Sequence, residues 1–271
     1  MFERRLFSQL VTLMVVLTCM TGVTNAQQAA APSGCGAVPN HMTLKTALDK
    51  AVADDQSGLN NHMWATVVAR DGTVCTVAFS GKDRGAQWLG SRVISAQKAN
   101  TANLFSLDSS SHSNGSGQAK GLALSTANLY SAVQPGGSLF GLQFSNPVDA
   151  SVGYKGPSSA YGTAKDPMVG GKIGGVNVFG GGLPLYATGG KLVGAVGLSG
   201  DTSCADHMIA WLVRKNVGLD HMVNVGGVSG DNQRPDNIVY DSGTNSMNAG
   251  GFGHPKCINT SDPTTVPTVS Q

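Results

Sequence analysis

The sequence predicts an α+β domain in which helices cover an antiparallel sheet. Two hairpin signals predict the sheet. Trp64 to Ala69 and Val74 to Ser80 are apolar and β-branched runs that flank Arg70-Asp71-Gly72-Thr73, and Asp-Gly between such runs marks a turn needing positive φ. Leu183 to Ala187 and Lys191 to Leu198 flank Thr188-Gly189-Gly190 in the same manner. Apolar residues at helical spacing before, between and after these hairpins predict the covering layers.

The elements follow in order. Residues 1–26 have the layout of a secretory leader: Arg4 and Arg5, a short apolar run from Leu10 to Met20, then Thr24-Asn25-Ala26. Cleavage is expected near Ala26, which would make the protein periplasmic or secreted. Residues 27–41 read as a loose arm. Thr43 is expected to cap a first helix whose apolar face is Leu44, Ala47, Leu48, Ala51 and Val52. After the first hairpin, Ser91 to Leu107 reads as a second helix and residues 109–118 as a surface loop. Ser125 is expected to cap a third helix running to Val133, stopped by Pro135-Gly136-Gly137. Ser138 to Phe144 reads as a further strand. Residues 146–175, rich in Gly, Pro and Ser, read as a long irregular insertion, and long loops of this kind are often functional. Thr202 is expected to cap a last helix with Met208, Ile209, Leu212 and Val213 on its apolar face. Arg214 and Lys215 fall at its C-terminal end, where the helix dipole favours cations. Gly218 ends it. The core domain thus spans 42–218, and 219–271 is a polar, turn-rich extension expected to pack on it.

Composition excludes several functions. Eighteen Lys and Arg against sixteen Asp and Glu give a net charge of +2, and only 13% of residues are charged. No basic stripe exists, so nucleic acid is not an expected partner. The apolar run of the leader is too short for a permanent span, and no other run approaches the required length. The Gly-rich runs around 170–182 lack the Lys-Ser/Thr ending of a phosphate loop. Ser199 is not in a Gly-x-Ser-x-Gly turn. Neither HExxH nor CxxC occurs, so no dedicated zinc site is expected. Asn114-Gly-Ser116 and Asn259-Thr-Ser261 match the glycosylation pattern.

With Cys19 in the leader, Cys35, Cys75, Cys204 and Cys257 remain. An even number in an exported chain points to two disulfides. Three pairings are open. Cys204–Cys257 with Cys35–Cys75 is favoured, because the first would staple the extension to the core and the second would tie down the N-terminal arm. The rival is a reactive Cys204 near a helix N-terminus.

Three segments carry a resemblance: Trp64-Ala-Thr-Val-Val-Ala-Arg-Asp-Gly-Thr-Val74 after the opening helix, Gln97-Lys98-Ala-Asn-Thr-Ala-Asn-Leu-Phe105, and Gly181-Gly-Leu-Pro-Leu-Tyr-Ala-Thr-Gly-Gly-Lys-Leu-Val-Gly-Ala-Val-Gly-Leu-Ser-Gly200 with Asp206 behind it. Together they resemble the GlcG/HbpS-like haem-binding family, which also supplies the C-terminal domain of PduO-type proteins. The resemblance implies a five-stranded antiparallel sheet of profilin-like type, homo-oligomeric assembly and haem as ligand. The leader, the insertion and the extension depart from the short family pattern, as does Cys204.

Haem iron takes axial ligands from His, Met, Cys or Tyr. His41 precedes the first helix and His62 the first strand, and these two rank first. His207 lies off the apolar stripe of the last helix and is expected to face outward or towards a partner chain. His254 sits in the compact Gly251-Phe-Gly-His-Pro-Lys-Cys257 segment. His112 lies in the Ser-rich loop. Arg92 and Lys98 can pair with haem propionates, or be plainly solvated. Against this haem-binding reading, for scavenging, storage or sensing with an unidentified partner, stand two others. One is a small-molecule enzyme with a pocket between residues 146–182 and the extension, using Asp206 with His207 or Asp241. The other is an oligomer without a ligand.

Overall fold

A computed structural model describes residues 34–111, 120–241 and 250–271. The leader, residues 27–33 of the arm, His112 and the 114–116 glycosylation match lie outside the described residues.

Helix α1 (His41–Asp54) is capped by Asn40, whose side chain accepts from Thr43 N–H at 3.0 Å. Thr43, the expected cap, therefore sits in the first turn, where Asn is at least as strong a cap as Thr. Strands β1 (Trp64–Ala69) and β2 (Val74–Phe79) form the first hairpin. Gly72 takes φ 82° in its turn, as the Asp-Gly signal requires. Helix α2 (Ser91–Phe105) follows, then the two-residue β3 (Gly121–Leu122) and the short α3 (Ala150–Gly153). Strands β4 (Gly182–Ala187) and β5 (Lys191–Ser199) form the second hairpin, α4 (Ser203–Asn216) begins at the Thr202 cap, and β6 (Val225–Gly226) pairs in parallel with β3.

The sheet is antiparallel with order β2-β1-β5-β4. Among the described residues it has four strands, not five. Ser138 to Phe144 forms turns ending in the 3-10 helix Leu142–Phe144. Its amides bond locally, Leu139 N–H to Ala132 O and Phe140 N–H to Gly137 O, which leaves no ladder to offer a neighbour. The free edge of β4 instead takes a short bridge from the extension: Tyr186 N–H donates to Leu219 O, and His221 N–H to Tyr186 O. Pro184 lacks an amide hydrogen and suits such an edge. The helix expected from Ser125 is likewise a set of turns ending in the 3-10 helix Ser131–Val133. Asn128 Oδ1 accepts from both the amide and the hydroxyl of Ser125, an alternative to helical backbone bonds.

Helices cover both faces, so β1 is buried at every position. Ala65, Val67, Val196 and Leu198 point to α1 and α4, sharing a core with Leu44, Leu48, Met208 and Ile209. Trp64, Val68, Val77 and Ala195 point to α2, with Val93, Ala96 and Ala99. Gly182 and Gly197 are cross-strand partners directly beneath α2. A Cβ at either would overlap a helix carbonyl, that of Lys98 or of Ser95. Glycine here lets α2 lie flat on the sheet.

The extension folds back on this frame. Trp211 Nε1–H donates to Pro267 O at 2.9 Å, and Met222 N–H to Ser270 O at 2.8 Å. Disulfides join Cys35 to Cys75 and Cys204 to Cys257.

Candidate functional site

The chain segment between α1 and β1 is held by one carboxylate. Asp201, just before α4, accepts from the amides of Leu59 and Asn61, each at 2.8 Å. Asn60 takes φ 58°, which Asn tolerates better than most residues. The turn so fixed presents His62 at the rim of the sheet. His62 Nδ1 lies 3.2 Å from Ser80 Oγ, and that hydroxyl accepts from Met63 N–H at 2.9 Å. One ring nitrogen is thereby anchored, and among the described residues Nε2 has no hydrogen-bond partner. Beside the ring lies a cavity of about 400 Å3 lined by Asp49, Val52, Ala53, Asn60, His62 and Ser80. Lys82 and Arg84 follow in the exposed loop directly after Ser80, cations that the sequence reading did not single out.

His41 opens α1 and is half-buried. Its Nε2 is 3.0 Å from Gly162 O, so it anchors the insertion to α1. The two first-ranked histidines thus flank opposite ends of α1.

The other predicted residues are buried. Arg92 is 1% exposed and bonds both oxygens of Asp166 and the carbonyl of Gly153, with Tyr161 stacked on its guanidinium. Lys98 is fully buried, donating to Asp206 at 2.6 Å and to Leu198 O at 3.0 Å. Neither is solvated, and each already has a carboxylate partner. Burial lowers the Lys98 ammonium from its ordinary value and pushes Asp206 up to about 6, against the pull of the pair itself.

His207, expected to face outward, is fully buried. The extension covers the polar flank of α4, and Asn237 lies 3.2 Å from His207 Nε2. Nothing in the helical periodicity foretells a cover that comes from residues 20 or more positions downstream. His254 is also buried, between Ser203 Oγ at 2.7 Å from its Nε2 and the Tyr130 ring. Asp206 is engaged by Lys98 and by the amides of Gly200 and Asp201, and Asp241 by Ser131, so the acid–base pairs considered from the sequence do not bond one another. A third buried ionic pair, Arg214 with Asp236, was missed: Arg214 reads from the sequence as a cation at the helix C-terminal end but lies buried beneath the extension.

His207 carries a consequence for acid stability. Burial, with nearby Arg214, His254 and Lys98, lowers its pKa from 6.5 to about 3 despite the Asn237 contact. Between about pH 6.5 and 3 the unfolded chain therefore holds more proton on this residue than the folded one, and stability falls as pH falls through that window. Asp206 acts oppositely: its folded pKa of about 6 exceeds the unfolded 3.8, so acidification through that interval favours the fold. Comparing the native chain with His207→Gln isolates the first effect. From pH 7 to 4 the native chain should lose on the order of 3 kcal/mol more than the variant in urea unfolding. Parallel pH profiles would refute the assignment.

No curated protein matches the chain. Among solved structures, the ORFY protein of Klebsiella pneumoniae is 22% identical, covering 71% of this chain and 94% of its own, with a TM-score of 0.41. A PduOC:haem complex is 21% identical, covering 65% and 89%, with a TM-score of 0.40. A double mutant of Streptomyces reticuli HbpS is 15% identical, covering 70% and 95%, with a TM-score of 0.39. A family model described as haem degrading protein HbpS-like matches residues 41–214, from the first residue of α1 to the Arg214 turn of α4, and the chain belongs to that HbpS-like family.

Proposed function

We propose that this protein binds haem or a related tetrapyrrole, with His62 as the axial ligand. One observation carries the choice of residue. Of the four ranked histidines, His207 and His254 are buried and His41 has its Nε2 on a backbone carbonyl, whereas His62 is anchored through Nδ1 and borders a cavity. A hydrogen bond on the second ring nitrogen is what fixes the orientation of a metal-binding histidine. The lining offers an imidazole nitrogen with the apolar Val52 and Ala53 beside it, its one carboxylate, Asp49, is paired with Lys45, and Lys82 and Arg84 follow the lining Ser80 in the exposed loop as cations for carboxylates. Haem, when bound, supplies a redox-active iron centre. In this reading a second copy of the chain covers the open side of the cavity. Arg92 and Lys98 hold the fold rather than the propionates, since each is buried against its own aspartate.

Family membership supports haem as the ligand. The leader-like residues 1–26 and the two disulfides support a site of action outside the cytoplasm, where scavenging, storage or sensing would take place. The test is a haemin titration of the oxidised protein followed in the visible range. A saturable Soret shift is expected, with affinity at least about tenfold weaker in His62→Ala and unchanged in His41→Ala. A non-saturating response overturns haem binding. Undiminished affinity in His62→Ala overturns the ligand assignment.

A further inference from the structure

The corner where the extension meets α4 gathers a second set of metal-ligating groups. Cys204 Sγ, Cys257 Sγ and a ring nitrogen of His254 all lie within 4.8 Å of one another. In the oxidised chain the two sulfurs are bonded to each other and are poor donors.

Each donor has a supporting partner. Cys204 stands in the first turn of α4, where the helix dipole favours a thiolate, and its amide donates to Cys257 Sγ at 3.2 Å. His254 Nδ1 faces Cys204 Sγ at 3.9 Å. The opposite nitrogen, Nε2, is 2.7 Å from Ser203 Oγ, which itself accepts from Gly180 N–H at 2.6 Å. The ring is packed against Tyr130 with centroids 4.8 Å apart.

We propose that reduction of the Cys204–Cys257 disulfide converts this corner into a Cys2His site for a borderline-soft divalent cation, with Zn2+ as the type ion. The balance is simple. A dithiol, which becomes a disulfide, or a phosphine, which takes the oxygen of a water molecule to become its oxide, delivers two electrons and two protons, the S–S bond breaks, and two thiols form. Binding the ion then releases both thiol protons. The imidazole stays neutral: its proton, now on Nδ1 and donated to Pro255 O at 2.6 Å, leaves Nδ1 for Nε2, where Ser203 Oγ accepts it. Ser203 Oγ can hold both this bond and that from Gly180 N–H, because a hydroxyl has two lone pairs. The fourth position of a tetrahedral ion falls to water or to the Pro255 carbonyl. The extension would remain pinned to α4 in both redox states, by a covalent bond in one and by an ion in the other. This site is separate from the His62 cavity and stands whether or not haem binds there.

Cobalt(II) is the probe, on the full chain reduced with a water-soluble phosphine and desalted without oxygen. One Co2+ per chain is expected, with sulfur-to-cobalt charge-transfer absorption and tetrahedral d–d bands, both abolished by added Zn2+. The oxidised chain should take up none. Cys204→Ser and Cys257→Ser should lose the charge-transfer band. His254→Ala should bind at least about tenfold more weakly, as loss of a metal-site group does. Cys35→Ser/Cys75→Ser, which removes the thiols of the other bridge, should retain the full signal. Circular dichroism is recorded alongside. If reduction unfolds the chain, Zn2+ should restore the fold in the native sequence and not in His254→Ala. No uptake by the reduced chain, uptake persisting in Cys204→Ser, equal affinity in His254→Ala, or an unfolded reduced chain that Zn2+ does not rescue would each overturn the proposal.

Discussion

Asp236→Ala is expected to cost about 3–5 kcal/mol of stability and to lower the melting temperature by roughly 10 °C. Asp236 is fully buried and bonds Arg214 through both oxygens, at 2.5 and 2.9 Å. Arg214 also donates to Pro184 O at 3.3 Å and lies over Trp211, with 4.3 Å from its central carbon to the ring centroid. Removing the carboxylate strands a guanidinium that has no route to water. A buried charge left alone costs far more than the pair contributes. The same reasoning gives a control. Asp236→Ala/Arg214→Met removes both charges and fills the space with an apolar chain, so it should recover most of the loss. Urea unfolding of the two variants decides the matter. A single variant within about 1 kcal/mol of the native chain, or a double variant as damaged as the single, would show that the pair is not the tie between α4 and the extension.

This pair also shows where the sequence stops being legible. The hairpins were readable because their signals are local: Asp71-Gly72 and Gly189-Gly190 demand positive φ, and Gly72, Gly189 and Gly190 all adopt it. α1, α2 and α4 were readable from their apolar spacing, and the Thr202 cap from its side chain. The turns at Ser125–Val133 were not, because the reciprocal bonds between Ser125 and Asn128 compete with the helix and no periodicity records them. The candidate site divides along the same line. His62 was legible as a residue at a strand entrance, while its anchor Ser80 and its holder Asp201 come from β2's end and from the start of α4. The buried partners Asp166, Asp206 and Asp236 were invisible as partners because each lies between 22 and 108 positions from its cation. An isolated charge in a sequence reads as solvated, and only the tertiary cover makes it otherwise.

Cys204→Ala/Cys257→Ala is expected to cost about 4 kcal/mol, since the bridge closes a loop with a sequence separation of 53 and the entropy of the unfolded chain rises when it is cut. The Cys35–Cys75 bridge has a separation of 40. Loop entropy grows only with the logarithm of length, so on that ground alone the two bridges should differ by a few tenths of a kcal/mol. The folded state separates them. Cys204 is 1% exposed in the main core and Cys257 packs against that core, whereas Cys75 is half-buried on the edge strand β2. Cutting the first bridge therefore also vacates packed volume and frees the segment holding His254 in place. Double variants of each bridge, unfolded in guanidinium under identical conditions, distinguish the two contributions. Equal losses would make the Cys204–Cys257 bridge a pure restraint on the unfolded chain. A loss at Cys204–Cys257 larger by about 1 kcal/mol or more would show that the bridge also organises the corner of α4 where Ser203, His254 and the extension meet.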